Sequence, residues 1–209
     1  MDGSATGTTA ALERIREEII ADPANRAATA AGLLPLYTTH PLARIVLIGQ
    51  APGTRAQRSG IPWNDPSGVT LRSWLGVTDD QFYDPTLFAI LPMDFYYPGK
   101  AAHGDLPPRP EFAPRWHPRL LAELPQIRLT VLIGRYAQKY YLPGTAATTL
   151  TDAVRAFRDQ LPDRMTLVHP SPLNFRWQTR NPWFAEEAIP ALRARVQAVL
   201  GSCSDPDGR

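Results

Sequence analysis

Arg44-Ile45-Val46-Leu47-Ile48-Gly49-Gln50-Ala51-Pro52-Gly53 is the stretch on which the reading of this chain turns. An unbroken apolar run gives way at once to a loop with two glycines, where the backbone can turn sharply and approach a ligand closely. A run without polar alternation suits a strand covered on both faces. Three further runs behave alike. Leu87-Phe88-Ala89-Ile90-Leu91 stops at Pro92, Leu129-Thr130-Val131-Leu132-Ile133 meets Gly134, and Met165-Thr166-Leu167-Val168 meets His169-Pro170. Helical stretches lie between and around them: Ala10 to Ile20, Pro118 to Leu124, Arg135 to Tyr141 and Thr151 to Gln160. A last helix starts at Asn181-Pro182, a capping residue followed by proline at the first helical position. Its apolar residues Ile189, Leu192, Val196 and Val199 recur at helical spacing. Strand alternating with helix predicts a three-layer α/β/α sandwich around a short, mostly parallel four-stranded sheet. In such a fold ligands bind beyond the carboxyl ends of the strands, and every unusual loop here follows a strand.

The whole chain narrows the classes. Its 209 residues suit one domain, expected over 9–200 with flexible tails at 1–8 and 201–209. Of 22 basic residues all but Lys100 and Lys139 are arginine, at a net charge of +2. Arginine's planar fork suits phosphates and base edges, although a GC-rich genome would give the same bias. The single cysteine, Cys203, excludes a disulfide framework and a four-cysteine cluster. No apolar run approaches the about 18 residues of a membrane span, and Met1-Asp2-Gly3-Ser4 lacks the character of a signal peptide. The expectation is a cytoplasmic monomer away from membranes. His40 and His117 have no neighbours that suggest a metal site, and neither metal nor organic cofactor is expected.

Chemistry is concentrated in the loops. Gly49 to Gly53 lacks the spacings of the nucleotide-phosphate loops. Gly60-Ile61-Pro62-Trp63-Asn64-Asp65-Pro66-Ser67-Gly68 sets a large flat ring beside an amide and a carboxylate. Trp63 can stack on a base and Asp65 can orient or deprotonate a water. The same residues equally fit a tight turn in which Asn64 and Asp65 bond their own backbone. His169-Pro170-Ser171-Pro172-Leu173-Asn174-Phe175 is stiffened by two prolines and carries an apolar tip beside an imidazole. A base-flipping enzyme needs that pairing: the tip fills the gap in the stack while the imidazole stabilises charge on the extruded base. Arg176 and Arg180 follow at positions suited to phosphates. Between these loops, Tyr96-Tyr97-Pro98-Gly99-Lys100 through His103, Arg109 and Trp116 reads either as a lid or as a proline-rich cover for the sheet.

GQAPG after the first run and HPSPLN after the last resemble, in sequence and order, the two signature motifs of the uracil-DNA glycosylase superfamily. The resemblance spans roughly residues 40–185 and implies the same α/β/α fold. It further implies that the backbone of Gln50 and Ala51 lines a base pocket and that Trp63 takes the place of an aromatic stacked on the base. His169 would stabilise the departing base anion from its O2 side, and Leu173 would be the intercalating residue of a DNA-contacting loop with Ser171 and Asn174. Two departures stand out. Gln50 and Ala51 occupy places where many members carry a carboxylate or amide for the attacking water, so Asp65, from the following loop, becomes the candidate. Ile90-Leu91-Pro92-Met93-Asp94 lacks the asparagine that reads the uracil edge, leaving Asp94 or Asn64 as substitutes.

The expected activity is hydrolysis of the N-glycosidic bond of uracil or another deaminated base in DNA, with water as nucleophile. A non-catalytic relative that binds nucleic acid or a nucleotide through the same pocket is the first alternative. A small-molecule enzyme of another α/β family is the second.

Overall fold

A computed structural model describes residues 3–102, 104–142 and 149–201. Its sheet consists of β1 (Ile45–Ile48), β2 (Phe88–Ile90), β3 (Leu129–Ile133) and β4 (Arg164–Leu167) in the order β2-β1-β3-β4, every pair parallel. All four apolar runs are therefore strands, and the expected three-layer α/β/α arrangement is present. The absence of polar alternation has a direct cause. Ile45 and Leu47 pack among Leu71, Leu75, Phe82, Phe157 and Leu192 on one face. Val46 and Ile48 pack among Ile19, Phe95, Trp116 and Leu120 on the other. With helices on both faces, each strand position meets hydrocarbon.

Several helices differ from their expected bounds. The first runs Gly3–Ala21, starting ahead of Ala10. The helix expected from Pro118 covers Phe112–Ala122 instead, with Pro118 inside it. There the proline costs a backbone hydrogen bond, but burial of Phe112, Trp116 and Leu120 on one face outweighs that loss. The stretch 151–160 divides into Leu150–Arg155 and Phe157–Gln160, the first opened by Thr149 and Asp152, which cap each other's backbone. The last helix enters through a π-helical turn, Phe184–Ala188, before Ile189–Gly201. Its residues Ile189, Leu192, Val196 and Val199 are buried as their spacing predicts. The helix Pro66–Leu75 occupies part of what the sequence reads as loop.

A buried histidine ties the end of β2 to the helix Arg135–Tyr141 that follows β3. His117 is fully enclosed, its Nε2 lies 3.0 Å from the Pro92 carbonyl oxygen and its Nδ1 2.6 Å from the Tyr141 hydroxyl. A carbonyl only accepts, so Nε2 carries the proton and Nδ1 accepts from Tyr141. Burial pushes the ring down to about 4 from its ordinary 6.5. The unfolded chain takes up a proton as pH falls below 6.5 while the folded chain resists until about 4. The stabilisation from the neutral ring is thus complete above 6.5 and is lost across that window, about 3 kcal/mol in all. Urea midpoints measured between pH 7 and 4.5 should fall steeply, and His117→Gln should remove most of that slope.

Candidate active site

The carboxyl ends of all four strands open on one cavity of about 540 Å³, a size suited to a small ligand. Gly49 to Gly53 border it after β1, Pro92 after β2, Gly134 and Arg135 after β3, and His169 after β4.

Trp63 is held in a demanding geometry. Its φ of 56° places a non-glycine residue in the left-handed region, a conformation that costs on the order of 1–3 kcal/mol and persists only where the surroundings enforce it. Two glycines do so. A β-carbon on Gly49 would lie 3.0 Å from the Trp63 ring, and one on Gly68 would overlap the Trp63 carbonyl. The indole therefore lies close against Gly49 at the end of β1, with its ring centroid 5.6 Å from that of His169. Two residues on, Asp65 is extended and caps the helix Pro66–Leu75, its Oδ1 accepting from the Gly68 amide at 2.8 Å. Asp65 thus bonds the backbone of its own loop and also lines the cavity.

The loop after β4 is organised from within. Ser171 Oγ accepts from the Leu173 amide at 3.2 Å, and Asn174 Nδ2 donates to the His169 carbonyl at 2.7 Å. Leu173 and Phe175 project from it, 90% and 70% exposed. Burial holds the His169 ring below its ordinary value, while the carboxylates of Asp65 and Asp105 act against that shift. The imidazole is therefore neutral at pH 7 and free to donate one proton in a hydrogen bond.

The cavity brings together Gln50, Ala51, Trp63, Asp65, His169, Ser171, Leu173 and Asn174 from three separate loops. Arg176 and Arg180 lie exposed on the adjoining helix Phe175–Arg180. Asn64 and Asp94 are not brought to it. Asp94 is 1% exposed and faces Arg109, which grips it twice, Nε to Oδ2 at 2.7 Å and Nη2 to Oδ1 at 2.8 Å. Arg109 also donates to Asn25 Oδ1 at 2.8 Å and to the Ala24 carbonyl at 3.0 Å. The pair joins three segments of chain and leaves Asp94 no capacity for a base edge. Of the stretch from Tyr96 to Trp116, Trp116 is buried in the core and His103 lies outside the described residues. Pro98, Gly104 and Asp105 border the cavity, as do Ser67, from the Trp63 loop, and Tyr136, which no motif flags. Among the described residues no group of three or more histidine, cysteine or acidic side chains could hold a metal, and no helix is long and apolar enough to cross a membrane.

A family model, the Uracil DNA glycosylase superfamily, matches residues 36–193. The chain belongs to the uracil DNA glycosylase superfamily. Both loop motifs fall inside the matched region, as does all of the sheet. Among solved structures, the chain is similar to the solution NMR structure of a candidate uracil DNA glycosylase from Methanosarcina acetivorans. The identity is 14% and the TM-score 0.47, over 79% of this chain and 98% of that one.

Proposed function

We propose that the protein is a DNA glycosylase that hydrolyses the N-glycosidic bond of uracil or another deaminated base. The observation that carries this reading is the convergence of Trp63 and Asp65 from one loop and His169 and Leu173 from another on one cavity. An extruded base stacks on the Trp63 indole, for which base–aromatic contacts supply about 1–3 kcal/mol. The bond from the sugar carbon C1′ to the base nitrogen breaks, and its electron pair stays with the base. Neutral His169 donates a hydrogen bond to the resulting anion, as a preorganised dipole aimed at developing charge. Water adds to C1′ and passes its proton to Asp65. Asp65 then returns a proton to solvent and the base anion takes one up as it leaves, so one water is consumed and the free base and an abasic sugar are formed. Ser171 and Asn174 hold the loop against DNA, and Arg176 and Arg180 meet the phosphates.

Cleavage of labelled oligonucleotides containing uracil, hypoxanthine or xanthine, single- and double-stranded and followed by alkali, tests this directly. Strand breaks that disappear in His169→Ala are the expected result. No break on any substrate at enzyme excess overturns it and favours the binding-protein reading, to which the commitment of Asp94 to Arg109 lends weight. Leu173→Ala adds a sharper prediction. Its exposed side chain gains burial only when it enters a duplex, worth about 1.5–3 kcal/mol. Duplex cleavage should therefore fall about 10-fold or more, and cleavage of the same base in a single strand should change far less.

A further inference from the structure

The segment after β2 forms a small hairpin beside the cavity. The Leu106 amide donates to the Gly99 carbonyl at 2.9 Å, and Lys100 pairs with Asp105 across the two arms. Gly99 and Gly104 have φ of 103° and 78°, which a side chain would resist. Both ends are fastened to the segment that follows β1. Gln57, buried, accepts from the Tyr97 amide at 2.9 Å, and Gln50 donates to the Leu106 carbonyl at 3.3 Å. Asp105 is thereby delivered to the cavity border that Asp65 and His169 also form. Its carboxylate is oriented from below: Oδ1 accepts from the Tyr97 hydroxyl at 3.2 Å and faces Lys100 Nζ at 3.1 Å. Among the described residues, Oδ2 has no hydrogen-bond partner.

Asp65 and Asp105 line the cavity together with Arg135, and Asp105 is 36% exposed beside the solvated Lys100, so positive charge is favoured locally, next to the two carboxylates. The departing base is an anion and belongs with His169. The sugar carbon becomes cationic and belongs with the carboxylates. We propose that Asp105 is a second catalytic carboxylate, which stabilises the positive charge on the sugar as the base leaves. It forms no bond and keeps no proton, since the water proton goes to Asp65. This assignment rests on the glycosylase reading above, and it gives Gln50 a definite task, that of fixing the hairpin which carries Asp105.

Asp105→Asn tests it, because the amide keeps the shape of the carboxylate and removes its charge. Two duplexes serve as probes, one with a neutral tetrahydrofuran in place of the target sugar and one with a protonated pyrrolidine. The wild type should prefer the pyrrolidine duplex. Asp105→Asn should lose that preference by about 10-fold while holding the neutral duplex as before. Its single-turnover cleavage should fall about 100-fold, and Asp105→Glu should retain the preference for the cation. Equal weakening on both probes, or unchanged values on both, overturns the proposal while the wild type still cleaves. A wild type inert on every base overturns the glycosylase reading along with it.

Discussion

Asp65→Asn is expected to lower single-turnover cleavage by at least about 100-fold, within the range that a positioned general base supplies. The substitution is unusually clean. Asp65 Oδ1 accepts from the Gly68 amide to cap the helix Pro66–Leu75, and an asparagine oxygen caps about as well. Thermal stability and the affinity for a duplex carrying an uncleavable base should therefore be unchanged. The capacity to take a proton is lost, and with it the negative charge that Asp65 brings to the cavity. Asp65→Ala should lose about 1 kcal/mol of stability besides its activity, since the cap goes too. An Asp65→Asn variant that cleaves at the wild-type rate would transfer the role of base to another group.

The largest expected loss of stability is at Arg109→Ala. The substitution leaves Asp94 charged and almost wholly enclosed, its remaining contacts being the Tyr96 amide at 3.1 Å and the Arg109 amide at 3.3 Å. Breaking one side of a buried pair costs about 3–5 kcal/mol because the other charge is stranded. The partly exposed guanidinium places this case at the lower end, near 3 kcal/mol. Arg109 also packs 4.6 Å over the Phe112 ring and bonds the Ala24–Asn25 turn, so neighbouring segments loosen together. Urea denaturation should show the midpoint falling sharply. Asp94→Asn in the same background should recover part of the loss by removing the stranded charge. No recovery would mean that the stability lies in packing rather than in the ion pair.

Both predictions depend on features that the sequence exposes unequally. The strands were legible because burial on both faces leaves continuous apolar runs, as Ile45 to Ile48 illustrates. The His169 loop was legible because two prolines and an apolar tip are chemically conspicuous. The pairing of Asp94 with Arg109 was not, since 15 positions separate them and nothing local announces an ion pair. Asp94 in the sequence looks like a reader of base edges only because it follows a strand. Asp105 escaped notice for a related reason. Its position at the cavity comes from a hairpin fastened by the side chains of Gln50 and Gln57, which lie 56 and 40 positions before their partners and which nothing local connects to it. The helix after Trp63 was hidden by Pro66 and Gly68, which read as loop formers. Pro66 stands at the start of the helix, where its missing amide costs nothing, and Gly68 is needed to pass the Trp63 carbonyl.

The bond from Asn174 Nδ2 to the His169 carbonyl makes the imidazole and the Leu173 tip parts of one stiff piece. On the proposed reading, that stiffness synchronises two events. Leucine cannot enter the stack without the histidine arriving at the pocket, and the histidine cannot be seated over a base while the leucine is shut out by an intact pair. Loosely held pairs yield to the wedge first, so the weakness of a lesion in its own duplex does much of the choosing before the cavity touches it.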